Sequence, residues 1–403
     1  MVKHIVKAAL GRYRAFALLR KVFRAAKTVP VERRLILITH ELNRSGSSLL
    51  LANLCDYYAS KGYALALLTE NDQPVAEAIE PLIAGTGAPV RLNYRSGTRM
   101  RALRALRKHG FHRAIGNTIV SGTFARELHE AGIRGTFLIH EMWASLNIVN
   151  AVGMCRQVIR WADALVFPSA TVRDSFLEFS EEACNPGKVF ILPQGRRESA
   201  PLRVSREEAR ASVRQTLGIG AEDRVLVGAG AINFGKGVDF WLPVLKELNG
   251  AEDGQPYHML WLGAVDEKDP YYLWLRVQAR AMGLERRIHF VGYISDGAQY
   301  SRLLEGSDAF FLSSREDAFP SVMIEAVSAG VPVLAYQGSG GGADYIAETG
   351  AGLCVPMGDA RAAAAAAREL CAHPGRYADA ASVERAAQSF RFSDYADRLL
   401  ELA

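Results

Sequence analysis

The stretch from Ser313 to Gly342, SSREDAFPSVMIEAVSAGVPVLAYQGSGGG, constrains the fold more tightly than any other part of this chain. It continues an apolar run, Ala309 to Leu312, through a charged loop into a helical pattern carrying Val322, Ile324, Ala326 and Val327. A second short apolar run, Val333 to Ala335, follows, and then a glycine-rich turn. Short apolar runs alternating with helices predict a parallel sheet covered on both faces. The loops leaving the strand ends of such a sheet form its ligand crevice, which places Asp317, Ser321 and Gly340 to Gly342 along it. Asp317 lies at the mouth of the helix and Glu325 within its first turns. Two carboxylates there suit a hydroxyl-rich ligand, while the helix start over Phe319, Pro320 and Ser321 favours an anion. Together these features predict a phosphorylated sugar.

The same run holds two acids separated by seven residues, Asp317 and Glu325, then Ala326 and the strand entry Gly330-Val331-Pro332-Val333. It resembles the acidic motif of the retaining family 4 glycosyltransferases, which have the two-domain GT-B fold. The first acid is Asp where that family usually has Glu, a reach shorter by one methylene.

A chain of 403 residues exceeds one ordinary core and implies two domains. Nearly half of it is hydrophobic and no low-complexity segment stands out, so both domains should fold. The cysteines, Cys55, Cys155, Cys184, Cys354 and Cys371, are odd in number and lack C-x-x-C spacing, which speaks against a disulfide framework or a zinc site and fits a reducing cytoplasm. The net charge of +5 is local: residues 1–30 carry eight Lys and Arg and no acid, leaving −3 for the remainder. Arginines interrupt the apolar residues of that segment, so it is neither a signal peptide nor a spanning helix. Its Tyr13, Phe16, Leu19 and Phe23 suit an anionic membrane surface or a solvated, mobile helix, and both readings stay open. No recognisable reading motif accompanies the charge, which disfavours nucleic acid.

After Pro30 the pattern repeats strand, glycine-bearing turn, helix. Leu35 to Thr39, Tyr63 to Thr69, Ala114 to Asn117, Gly135 to His140 and Ala164 to Pro168 read as strands, with helices over Leu49 to Ser60, Thr98 to Lys108, Thr123 to Ala131 and Ile148 to Trp161. A polar stretch from Gly195 to Leu202 breaks the pattern, and a second alternating series opens with Val225 to Gly230. The fold class is therefore α/β, with two doubly wound, Rossmann-like domains facing across a cleft as in GT-B. The division is a basic segment over 1–30, a first domain over 31–197, a second over 198–387 and a final segment over 388–403, which the resemblance returns to the first domain.

Three further places carry chemistry. Gly228 to Asp239 reads GAGAINFGKGVD, and a glycine turn with Gly235, Lys236 and Gly237 at a helix start can cradle a diphosphate with backbone N–H groups and one cation. In the family a lysine followed by glycine does this, usually beside an arginine; here the two places for that arginine hold Ala231 and Gly235, which removes one cation from the leaving group. Ser45-Gly46-Ser47-Ser48, between strand and helix, lets backbone approach a ligand closely, and the resemblance puts it near phosphates or acceptor. His140-Glu141 ends a strand and points toward the crevice, and His140 matches the family's sugar-contacting histidine. The pair His40-Glu41 also matches the family, without an assigned role.

The resemblance implies a retaining glycosyltransferase taking a nucleotide diphosphate sugar as donor and a glycan or lipid-linked glycan as acceptor. Glu325 would hold the ribose and Asp317 the donor sugar. Lys236 and the N–H groups near Phe319, Pro320 and Ser321 would stabilise the departing diphosphate, with His140 near the sugar and the first domain supplying the acceptor side. No Asp-x-Asp pair occurs in the chain, so metal independence is expected, with no cofactor. The expected location is cytoplasmic or peripheral on the cytoplasmic membrane face. A sugar-nucleotide epimerase of the same architecture and a non-catalytic sugar-nucleotide binding protein remain alternatives.

Overall fold

The computed structural model describes residues 2–43, 45–70, 74–92, 98–196, 205–250 and 254–403, and of residues 2–12 the backbone. The chain divides into two compact units, Met1–Pro193 with Ser393–Ala403, and Gln194–Phe392. The first contains a seven-stranded sheet of β1 (Arg34–Thr39), β2 (Ala64–Thr69), β3 (Val90–Arg91), β4 (Arg113–Asn117), β5 (Arg134–Leu138), β6 (Ala164–Phe167) and β7 (Val189–Ile191), in the order β3-β2-β1-β4-β5-β6-β7. The second contains six strands, β8 (Arg224–Ala229), β9 (Tyr257–Leu262), β10 (Ile288–Gly292), β11 (Ala309–Leu312), β12 (Val333–Tyr336) and β13 (Gly352–Val355), in the order β10-β9-β8-β11-β12-β13. Every pairing is parallel. Burial on both faces explains why the central strands read as continuous apolar runs: all six residues of β2 and of β9 are buried.

The strand order reverses between β1 and β4 in the first unit and between β8 and β11 in the second. Loops diverge to opposite faces at such a point and leave a crevice beyond the strands' carboxyl ends. In the first unit those ends lead to His40 and Thr118; in the second, to Gly230 and Ser313.

Several elements differ from the sequence pattern. The helix expected over Ile148 to Trp161 is broken into Trp143–Ile148 and Val152–Trp161, because Asn150 takes a left-handed conformation with φ 50°. Strand β5 stops at Leu138, so His140 sits in the following turn, and the helix after the Ser45 turn already starts at Gly46. A helix at Ala170–Ser180 and strand β7 extend the first sheet beyond the expected strands. The expected boundary at 197/198 lies outside the described residues; the described division falls at Pro193/Gln194. Gln194 donates its side-chain amide to Phe319 O, and Arg196 donates its backbone N–H to Phe390 O at 2.8 Å, which ties this stretch to the second unit.

The basic segment is no separate tail. It forms a helix, Val2–Ala26, whose Ala15, Leu19, Val22 and Ala26 are buried against β2, β3 and the helix Thr98–Lys108. That four-residue stripe at helical spacing is the face the arginines obscure in the sequence. The final helix, Phe392–Leu402, packs into the first unit with Tyr395, Ala396 and Leu399 buried. The Tyr58 hydroxyl donates to Ala396 O at 2.8 Å and Thr136 Oγ1 to Leu402 O at 3.0 Å. No described helix is long and apolar enough to cross a membrane.

Candidate functional site

In the second unit the site is built on the loop from Gly230 to Gly237, which leaves the central strand β8. Two buried tryptophans hold its ends. Trp261 donates its indole N–H to Gly230 O at 2.9 Å. Trp241 donates to Ser313 Oγ at 2.8 Å, and that hydroxyl donates to Lys236 O at 2.9 Å. The two indoles meet edge to face, 6.2 Å between centroids, beneath the loop. Asn233 caps the turn Phe234–Lys236 by accepting the Lys236 N–H at 3.0 Å. Gly237 has φ +62°, and a Cβ there would stand 2.1 Å from Ser313 O, so this position requires glycine on both counts.

The loop aims Lys236 at the acid motif: Nζ forms an ion pair with Asp317 Oδ2. Both side chains are mostly buried, at 26% and 16% exposure. Ser314 Oγ also approaches Asp317 Oδ2, at 3.4 Å, and the Asp317 N–H donates to Ser339 O at 2.7 Å, which fastens the acid loop to the glycine turn after β12. Beyond it the helix Ser321–Ser328 starts at Pro320 without a side-chain cap. The N–H groups of Met323 and Ile324 return to Pro320 O, and none of the described hydrogen bonds uses those of Ser321 or Val322. The helix Gly341–Thr349 likewise starts without a side-chain cap. Lys236 thus lies near the start of the Ser321 helix, whose Ser321 and Val322 N–H groups suit negative charge.

Glu325 sits one turn into the first of these helices with a fifth of its side chain exposed. Its carboxylate lies 3.5 Å from Arg196 Nε and accepts from the Tyr300 hydroxyl; burial raises its pKa, and both partners oppose that rise. The family's missing arginine is not replaced at the loop by Arg315. That guanidinium pairs with Asp239 at 2.6 and 2.9 Å, donates to Phe234 O at 2.7 Å and stacks on Phe234 and Phe240, while its backbone N–H donates to Gly235 O. It braces the loop rather than facing the acid pair.

In the first unit a second polar cluster collects at the carboxyl ends of β1, β4 and β5. Ser45 caps the helix Gly46–Ser60 by accepting the Ser48 N–H, at 3.3 Å. Buried Asn117 donates to Ser47 O at 2.9 Å, so its Oδ1 accepts from His140 Nε2 at 3.2 Å. One asparagine therefore connects the Ser45–Ser48 turn with His140. Burial lowers the His140 pKa to about 4, so the ring is neutral and its Nδ1 is an acceptor. Glu141 is pushed up to about 7 by burial, opposed by the backbone N–H groups of Ile119 and His140 at 3.1 and 3.0 Å. His40 lies between Glu41, at 3.2 Å, and Thr118 Oγ1, at 3.0 Å. Thr118 has φ 71°, a costly backbone conformation for a β-branched residue.

The structure thus brings Lys236, Asp317, Gly235, Gly237 and the start of the Ser321 helix together in the second unit, and Ser45, Gly46 and His140 together in the first. Sequence reasoning missed Arg196, Tyr300, Ser313, Trp241, Trp261, Asn117 and Thr118. Each acts through a contact distant in sequence, and the one local signal, Ser313 directly after an apolar strand, is shared by many structural serines.

Residues 209–388 match the family described as glycosyl transferases group 1. The mannosylfructose-phosphate synthase of Agrobacterium fabrum is 28% identical over 148 residues, 36% of this chain and 32% of that protein. The D-inositol 3-phosphate glycosyltransferase of Jonesia denitrificans is 28% identical over 201 residues, 50% of this chain and 46% of that protein. The chain therefore aligns with less than half the length of these curated relatives. Among solved structures, Anabaena Alr3699/HepE in complex with UDP superposes with a TM-score of 0.74 at 16% identity, over 91% of this chain and 98% of that one. The sucrose-phosphate synthase of Thermosynechococcus elongatus gives 0.71 at 18% identity, over 92% and 98%. With both sheets, their strand orders and their switch points in place, the chain has the GT-B fold, and residues 209–388 of its second unit are similar to the glycosyl transferases group 1 family.

Proposed function

We propose that this protein is a metal-independent retaining glycosyltransferase that moves a sugar from a nucleoside diphosphate sugar to a glycan or lipid-linked glycan. The observation that carries this reading is the convergence of Lys236, Asp317 and the uncapped start of the Ser321 helix around the loop tied down by Trp241 and Trp261. The diphosphate takes the Lys236 ammonium and the free helix N–H groups. Asp317, relieved of Lys236, accepts hydroxyl hydrogen bonds from the donor sugar, and Glu325 accepts the ribose hydroxyls in exchange for Arg196. Neighbours of this fold have been solved with UDP and with UDP-glucose, which supports a uridine donor as the first to test.

In the reaction the bond from the sugar's anomeric carbon to the diphosphate oxygen breaks, the acceptor oxygen attacks from the same face, and its proton passes to the departing diphosphate. Fixed donors aimed at that oxygen act where charge develops. The neutral His140, with Nδ1 free to accept, serves a sugar hydroxyl, and the first unit serves the acceptor. A lipid-linked acceptor is supported by Trp143, Ile148 and Val149, which are exposed in and after the helix that follows His140-Glu141. The protein acts in the cytoplasm or on the cytoplasmic membrane face.

A non-catalytic nucleotide-sugar binding role is the second reading, favoured by Ala231 and Gly235 at the arginine positions and by Arg315 being occupied elsewhere. Calorimetry with the diphosphates of uridine, guanosine and adenosine, followed by product analysis with the matching sugar donor, decides between them. Saturable binding of one nucleotide that Lys236→Ala weakens, with sugar transfer, supports the enzyme. Binding without turnover supports the second reading, and no nucleotide binding defeats both.

A further inference from the structure

Six basic side chains, Lys27, Arg34, Arg107, Lys108, His109 and His112, line a cavity of about 730 Å³ in the first unit. It opens where β1 and β4 begin, roughly 13–17 Å along the strands from their carboxyl ends. The His140 cluster and this cavity are therefore separate places. Among the described residues no carboxylate lines it.

Two of the cations, Arg34 and Arg107, are held in place by backbone carbonyls. Arg34 donates to Val29 O at 3.0 and 2.7 Å and to His109 O at 2.7 Å, which fixes its guanidinium with backbone carbonyls alone. Arg107 donates to Gly132 O at 2.9 Å and lies against the His112 ring. Phe23 stacks on His109, ring centroids 3.8 Å apart, and gives the cavity an apolar wall. Lys27 and Lys108 are exposed at its rim. Burial and the adjacent Arg107 and Arg34 lower the His112 pKa, as expected of cations left without a counter-charge.

A bland account is available: two helices, Val2–Ala26 and Thr98–Lys108, end at this place, and basic residues complement helix carboxyl ends. It does not cover Arg34, which comes from a strand. Nor are those helix ends bare: Ala26 O accepts from Val29 N–H, Leu106 O from His109 and Phe111, and Arg107 O from Gly110. Pre-positioned guanidinium donors, mobile ammonium groups at the rim and the absence of acids are what recognition of a phosphoryl group requires.

We propose that this cavity binds a phosphoryl group, carried by a lipid headgroup or by a soluble phosphate compound. The test follows the ring ¹⁵N resonances of His109 and His112 in the full chain, first on adding inorganic phosphate and then on adding phosphatidylcholine vesicles with and without phosphatidic acid. Saturable movement is expected in at least one arm. Movement with phosphate assigns a soluble ligand, and movement only with phosphatidic acid vesicles assigns a headgroup. Lys27→Gln with Lys108→Gln removes two rim charges that hold no described structural bond, and should weaken the midpoint about tenfold. Arg101→Gln with Arg104→Gln removes equal charge from the exposed face of the same helix and should leave it unchanged. Resonances that stay put in both arms, or equal weakening in the two double variants, would overturn the assignment.

Discussion

Lys236 and Asp317 neutralise one another, so under the proposed function a diphosphate must win the lysine from the carboxylate. That exchange separates the roles of the two acids. Asp317→Asn should leave nucleoside diphosphate affinity unchanged or stronger, because the competitor for Lys236 is weakened, while turnover falls. A charge-assisted hydrogen bond is worth roughly 1.5–3 kcal/mol, or about ten- to a hundredfold in rate if it acts at the transition state. Glu325→Ala should weaken donor and bare nucleotide alike, since the ribose does not change during reaction. Calorimetry on both variants measures this, and equal loss of nucleotide binding in the two contradicts the assignment. Ser313 acts one contact further out. Ser313→Ala leaves the buried Trp241 N–H without its acceptor and should cost about 1–3 kcal/mol in denaturant unfolding, with weaker nucleotide binding because Lys236 loses its backbone tie. In the first unit, Glu141 has a raised pKa in the folded state, so its contribution to stability is present at low pH and is lost as pH rises from about 4.5 through about 7. The melting temperature of Glu141→Gln relative to the parent should therefore rise between about pH 5 and about pH 8. A constant difference would contradict the buried, proton-holding carboxyl.

At the scale of elements, the N-terminal helix changes character once its contacts are known. Leu19 is fully buried, with Ala15, Val22 and Ala26 along the same stripe. Leu19→Ala should destabilise the first unit by about 2–5 kcal/mol, read as an earlier unfolding transition. A solvated tail would show no change. Removing residues 1–28 should likewise lower the melting temperature of that unit, since it uncovers β2, β3 and the helix Thr98–Lys108. The glycine loop depends on a different kind of element contact. Gly237→Ala meets Ser313 O and a positive φ together, so it should disturb the loop and abolish nucleotide binding even where the second unit still folds.

For the whole molecule, the proposed function rests neutralisation of the leaving diphosphate on Lys236, helix starts and glycine-loop N–H groups. Transfer or donor hydrolysis should therefore persist in excess chelator and gain nothing from magnesium or manganese. Activity that vanishes with chelator and returns with a divalent ion would contradict the reading.

The sequence by itself determined the strand and helix alternation, because buried parallel strands must be continuously apolar and their connecting helices amphipathic. It also singled out Lys236-Gly237, Asp317, Glu325 and the Ser321 helix start as candidates, because a motif confined to a few residues on one loop or helix keeps its spacing wherever it is placed. Local pattern could not reveal the buried stripe of the N-terminal helix, hidden among arginines. The break at Asn150 was equally hidden, since a single left-handed residue divides one continuous apolar pattern into two helices. Only tertiary structure set Asn117 between Ser47 and His140, the two indoles beneath the Gly230–Gly237 loop, Arg196 on Glu325, and six basic side chains around one cavity. The hydrogen bonds and ion pair made by Asn117, the two indoles and Arg196 join residues from 23 to 129 positions apart, whose meeting follows from sheet order and helix packing, quantities that no single stretch of chain encodes.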